Sequence, residues 1–136
     1  MADVIESELS RFDERYGVGA EALLAVERAA LGTDYGANGY TTRAEADEIG
    51  ERLGLDADTT LLDLGSGCGW PGLHLAARSG CRLVSFDPVF SGVHRSAARA
   101  DADGLTHRHV AAVVDGGRLP LADRSVDAIV HVDVLC

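Results

Sequence analysis

Apolar residues in the first part of the chain recur at helical spacing, and from residue 60 onward they gather into short runs separated by helical stretches. Val4, Ile5, Leu9 and Phe12, and then Leu23, Leu24, Val26 and Leu31, fall on one face of a 3.6-residue period, so helices are predicted over 3–15 and 20–31. Gly32, Gly36, Asn38 and Gly39 break the pattern with a loop. Thr42 stands three residues before Glu45, the spacing of a capping box. Ala46, Ile49 and Leu53 then form one apolar face, and Gly54 supplies a stop.

The remaining pattern is an alternation: strand 60–64, helix 71–79, strand 81–86, helix near 89–101, strand near 107–114 and strand 126–134. Crossovers of helical length imply parallel strands covered by helices on both faces, an α/β fold. Right-handed crossovers set the first three strands in the order 3-2-1 with the fourth beyond strand 1, a doubly wound sheet of order 3-2-1-4. The expected organisation is a helical N-terminal cap over 1–40 and one sheet domain over 41–136. In such sheets ligands sit at the carboxyl ends of the strands, where the strand order reverses, which here is the end of strand 1.

That end carries Asp63-Leu-Gly-Ser-Gly-Cys-Gly-Trp-Pro-Gly72, four glycines within eight residues. Glycine tolerates positive φ and presents no Cβ to an approaching molecule, so the turn suits close contact between backbone and ligand. Trp70 precedes a proline and Pro71 suits a first helical position, so the next helix should open near residue 71 with its free N–H groups facing an anionic group. The other strand ends add Asp87, Asp115, His131 and Asp133 to the same edge.

Composition narrows the chemistry. The net charge is −10, which repels nucleic-acid backbones and anionic membrane surfaces, so neither nucleic acid nor membrane is an expected partner. All twelve basic residues are arginine; without lysine there is neither a P-loop nor a Schiff-base chemistry. No apolar run reaches membrane-helix length, and Asp3, Glu6 and Glu8 stand where an export leader would be basic and apolar, so a cytoplasmic location is expected. Cys68, Cys81 and Cys136 are odd in number and unpaired in spacing, against a disulfide framework. His107 and His109 lack companions at ligand spacing, and no metal site is expected. Ser66 has Leu64, not glycine, two positions before it, so no nucleophile elbow is present.

The arrangement resembles class I S-adenosylmethionine-dependent methyltransferases with a single Rossmann-like domain. Asp63-Leu-Gly65-Ser66-Gly67-Cys-Gly69 is similar to their acid-x-Gly-x-Gly-x-Gly signature, and Asp87, followed by Pro88, stands where their ribose-binding acid closes the second strand. Asp115 with Leu119-Pro120, then Val126-Asp127-Ala128-Ile129-Val130, resembles their acid-x-x-x-Leu-Pro loop and fourth strand. Tyr40 resembles an aromatic residue that flanks the cofactor. The resemblance covers roughly 36–136 and implies S-adenosyl-L-methionine as cofactor, a small-molecule methyl acceptor, and cofactor contacts from Tyr40, Asp63, Gly65, Ser66, Gly67, Gly69, Asp87, Pro88, Asp115 and Gly116.

Each role has a plainer alternative. Asp87 accepts two vicinal hydroxyls of a ribose or caps a helix; Asp115 and Gly116 meet an adenine edge or form a turn. Asp63 braces the loop or orients a ligand ammonium. His131 is a general base for the acceptor, or only the second face of a buried strand. The spacing Gly67-x-Gly69-x-x-Gly72, with Asp87 20 residues beyond Gly67, also allows a nicotinamide-linked oxidoreductase. Members of the family continue past the point matching Cys136, so part of the usual domain is expected to be missing after strand 4. An uncovered fourth strand would invite pairing with a second copy or leave a non-catalytic cofactor-binding module.

Overall fold

A computed structural model describes residues 2–17, 21–36 and 39–134. Asn38 of the predicted loop and Cys136 lie outside the described residues. The elements are α1 (Ala2–Gly17), α2 (Glu21–Leu31), α3 (Arg43–Leu53), β1 (Thr60–Leu64), α4 (Gly72–Ser79), β2 (Arg82–Asp87), α5 (Phe90–Ala102), a 3-10 turn (Thr106–Arg108), β3 (His109–Val113) and β4 (Ala128–Val130). The capping box forms as read from sequence: Glu45 N donates to Thr42 Oγ1 at 3.3 Å and Thr42 N to Glu45 Oε2 at 2.8 Å, and the helix ends at Gly54.

The four strands are parallel in the order β3-β2-β1-β4. Register pairs Leu61 with Leu83 and Ala128, and Asp63 with Ser85 and Val130. Leu61, Leu83 and Val130 share one sheet face with Leu73, Leu75 and Ala76 of α4 and Ala100 of α5, which together form the main core, and Ile49 of α3 packs against it.

Helical cover of the two faces is uneven. The β1-α4-β2 and β2-α5-β3 crossovers step the same way along the sheet, so right-handedness puts both helices on one face. A helix on the opposite face would have to come from the β3–β4 connection. Residues 114–127, with Gly116, Gly117 and Pro120, contain none. On that face Val110 and Ile129, at the two sheet margins, are 61% and 56% exposed.

β4 is also shorter than the predicted 126–134. Its last partner is Asp63 on β1, and Asp127 instead anchors the strand's start, its N–H donating to Thr60 O at 2.9 Å and its carboxylate accepting from Thr60 N at 2.8 Å. His131 and Asp133 therefore follow the strand rather than lie in it.

Candidate functional site

The turn after β1 is held by its neighbours before any ligand is considered. Gly65 N and Ser66 N both donate to Phe86 O, at 2.8 and 3.1 Å, and Gly67 N donates to Asp87 Oδ2 at 2.8 Å. Gly69 N closes back on Ser66 O at 2.8 Å. Gly65 and Gly67 have φ of 79° and 48°, so a side chain at either would be strained. What this loop offers a ligand is close approach rather than a set of free amides.

The start of α4 differs from expectation in the same sense. Pro71 is the N-cap residue and the helix opens at Gly72. Gly72 N donates to Asp63 Oδ2 at 3.1 Å and Leu73 N to Gly69 O at 2.9 Å, so the anion expected at this N-terminus is the protein's own Asp63. Asp63 is 1% exposed, and burial pushes its carboxyl up to about 7 despite the Gly72 hydrogen bond; the nearby Asp87 charge adds to the rise.

Asp87, 5% exposed, closes β2 and uses both oxygens: Oδ2 accepts from Gly67 N and Oδ1 from Val89 N at 2.8 Å, just ahead of α5. Burial raises its pKa also. Each oxygen keeps a further lone pair, and the residue borders a groove of about 300 Å³ lined by Pro88, Val89, Gly65, Asp133 and Val134 on one side and Leu9, Phe12 and Tyr16 of α1 on the other. A smaller cavity of about 50 Å³ lies over Gly65, Ser66 and Gly67, where the Ser66 hydroxyl is buried with no hydrogen-bond partner among the described residues.

The other residues named from sequence are less closely gathered. Gly69 packs toward Leu73 and Ser96. Tyr40 is 78% exposed and lines a separate outer hollow with Glu45, Glu48, Ile49 and Arg52, which meets the glycine loop only at Asp133. Asp133 Oδ2 accepts from Thr41 N at 3.1 Å, while Trp70 Nε1 donates to Thr41 O at 2.9 Å, so the 39–42 segment is tied to both the loop and the end of β4. Asp115 and Gly116 are exposed beyond β3, and the Asp115 carboxylate accepts from Gly117 N at 2.9 Å in a local turn.

His131 is exposed, contrary to its reading as a buried strand residue, and its Nδ1 lies 2.7 Å from Leu64 O. A carbonyl only accepts, so this contact places the proton of a neutral ring on Nδ1 and leaves Nε2 as the acceptor. His107 lies in the 3-10 turn against Arg108, and His109, which opens β3, meets the Ser85 hydroxyl at 3.0 Å. Among the described residues no group of three His, Cys, Asp or Glu is placed to hold a metal ion, and no helix is long and apolar enough to cross a membrane.

Sequence reasoning missed the wall from α1. Tyr16, Cys68 and Val89 form a second apolar cluster, with Leu9 and Phe12 packed against it. A signal existed in the spacing of Leu9, Phe12 and Tyr16 and in Gly92, a glycine inside a helix, which usually has a packing reason.

With this geometry in place, comparison with known proteins decides the family: the methyltransferase domain profile matches residues 62–136, from β1 through the last residue. The chain belongs to the methyltransferase domain family. The methyltransferase domain is similar to a solved SAM-dependent methyltransferase from Thiobacillus denitrificans in complex with S-adenosyl-L-homocysteine, at 26% identity and TM-score 0.59, over 66% of this chain and 36% of that one. It shares its fold with a SAM-dependent methyltransferase from Geobacter sulfurreducens, at 21% identity and TM-score 0.64, over 85% of this chain and 44% of that one. It is also similar to the cyclase SpnF, at 28% identity and TM-score 0.57, over 74% of this chain and 37% of that one. This chain thus spans less than half the length of each of the three.

Proposed function

We propose that this methyltransferase domain binds S-adenosyl-L-methionine across the glycine loop and takes part in methylating a small molecule. The observation that carries the reading is Asp87: a buried carboxylate, fixed by Gly67 and Val89, that still borders a groove beside two glycines whose φ excludes most side chains. A fixed carboxylate with spare lone pairs suits the vicinal hydroxyls of a ribose. Ser66, with its hydroxyl orphaned in the inner cavity, has a hydrogen bond to give. Two similar proteins, from Thiobacillus denitrificans and Geobacter sulfurreducens, were crystallised with S-adenosyl-L-homocysteine, which supports the same ligand here.

When bound, S-adenosyl-L-methionine supplies a methyl group on a positively charged sulfonium. The chain's part is to hold and orient. Asp87 and Pro88 grip one side, Gly65 and Gly67 allow close approach, and Asp133 adds negative charge at the inner cavity and groove. Asp115 and Gly116, two and three residues beyond β3, are assigned to the base edge. His131, with Nδ1 held by Leu64 O, presents Nε2 to take a proton from an alcohol, phenol or amine acceptor. The net charge of −10 favours neutral or cationic acceptors over phosphorylated ones. Beyond β1 no described strand covers β4, and a second copy is the partner assigned to that edge; sedimentation velocity would report a dimer or exclude it.

Calorimetric titration with S-adenosyl-L-homocysteine and with NAD tests the cofactor. Binding of the first and not the second is expected, and the reverse would favour the oxidoreductase reading. A second reading, a cofactor-holding module with other chemistry or none, is favoured by the likeness to the cyclase SpnF. Tight S-adenosyl-L-homocysteine binding with no transfer of labelled methyl to any acceptor of a broad screen would select it.

A further inference from the structure

We infer that α1 is a gate over the glycine loop, latched by Ser91, Gly92 and Arg95 of α5, and that Tyr16 is its plug. The inference rests on the proposed cofactor site and adds the residues that control entry to it.

Tyr16, 9% exposed, sits directly on the loop. A Cβ built at Gly67 would stand 2.8 Å from the Tyr16 hydroxyl, and one at Gly65 would stand 2.6 Å from a methyl of Val134. The cavity left over these glycines, about 50 Å³, is room for roughly one or two waters, whereas ligand pockets run to about 300–1,000 Å³. The groove beside Asp87 meets the loop at Gly65, but the inner cavity over Ser66 and Gly67 takes an adenosyl group only when Tyr16 withdraws.

Three hydrogen bonds fasten the C-terminal end of α1 to α5. Ser91 N donates to Asp13 Oδ1 at 3.1 Å and Ser91 Oγ to Asp13 O at 3.2 Å. Arg95 Nη1 donates to Tyr16 O, satisfying a carbonyl of the last helical turn. Gly92 lies between them with no side chain, and a Cβ there would stand 3.0 Å from Gly67 O and 3.1 Å from Tyr16 Cδ2. Positions 91, 92 and 95 form one helical face of α5, and all three serve the same contact. Of the α1 side chains described, only Leu9, Phe12 and Tyr16 are even partly buried, so the helix can leave without disturbing the sheet core.

The test is stopped-flow binding of S-adenosyl-L-homocysteine, followed through Trp70, the only tryptophan and itself a lining residue of the inner cavity. In the double variant Asp13→Cys/Ser91→Cys, a disulfide would lock α1 shut; association should slow by at least ~10-fold when oxidised and recover on reduction, because apparent affinity scales with the open fraction. Arg95→Met should speed both association and dissociation several-fold, an effect that mere loss of stability does not produce. Equal rates before and after reduction, or unchanged rates in Arg95→Met, would overturn the gate while leaving the cofactor site standing. Absence of binding to the unmodified chain would overturn the site and the gate with it.

Discussion

The carboxyl edge of the sheet has two halves built in different ways. At the tips of β1 and β2, Asp63 and Asp87 are buried and accept hydrogen bonds from Gly72, Gly67 and Val89, so the acids and the glycine loop form one interlocked unit. Beyond β3 and β4, Asp115, His131 and Asp133 are exposed, and their recorded contacts are a local turn, one carbonyl and one loop amide. In the first half each buried acid satisfies backbone donors of a neighbouring segment; in the second Asp115 closes only a local turn and His131 meets the end of β1. The acids of the β1–β2 half are structural scaffold first, and the ribose contact proposed for Asp87 depends on that same fixing.

Substitutions that separate the halves should show this, beginning with Asp63. Its folded pKa of about 7 lies above its ordinary 3.8, so the stability it adds is fully present below about pH 4 and is lost as pH rises through 7. At about 1.4 kcal/mol per pH unit the loss is on the order of 4 kcal/mol. Asp63→Asn keeps an acceptor for Gly72 and removes the buried charge. Urea unfolding across pH 4–8 should find the variant gaining on the natural protein up to about pH 7 and level thereafter; parallel curves would contradict the burial argument.

Next in size, Asp87→Ala should cost about 3 kcal/mol in unfolding free energy by stranding the Gly67 and Val89 amides, while Asp115→Ala should cost under ~0.5 kcal/mol. Equal losses would erase the distinction between the two halves. Gly67→Ala should cost about 1–2 kcal/mol, since φ is 48° and the Tyr16 hydroxyl is in the way. Gly116→Ala, with open space around it, should be neutral by thermal melting. His131→Gln should likewise stay within ~0.5 kcal/mol, though methyl transfer to a hydroxyl acceptor should fall.

Much of the β1–β2 half was legible because its signals are local. Alternating strand and helix, the acid before the glycines, and Asp87 at the end of the next run all lie within 25 residues, and the observed strand order follows from crossover handedness. What was not legible depended on distant partners. The α1 wall joins Tyr16 to Gly67 and Gly92 across more than 50 residues. Tyr40 carries a motif signal, yet the 39–42 segment is positioned by Trp70 and Asp133, and Tyr40 borders a hollow beside α3. Val130, Val132 and Val134 keep alternating after the pairing with β1 has ended at Asp63, so the sequence pattern runs past the end of β4.

The central claim, that the β1–β2 half of the edge grips an adenosyl ligand, is tested most directly by titrating S-adenosyl-L-homocysteine calorimetrically into the natural chain and into Asp87→Ala, each below its own melting temperature. One-to-one binding in the micromolar range by the natural chain, lost in the variant, is the predicted result. No heat of binding to the folded natural chain, or the same affinity in both proteins, would contradict it.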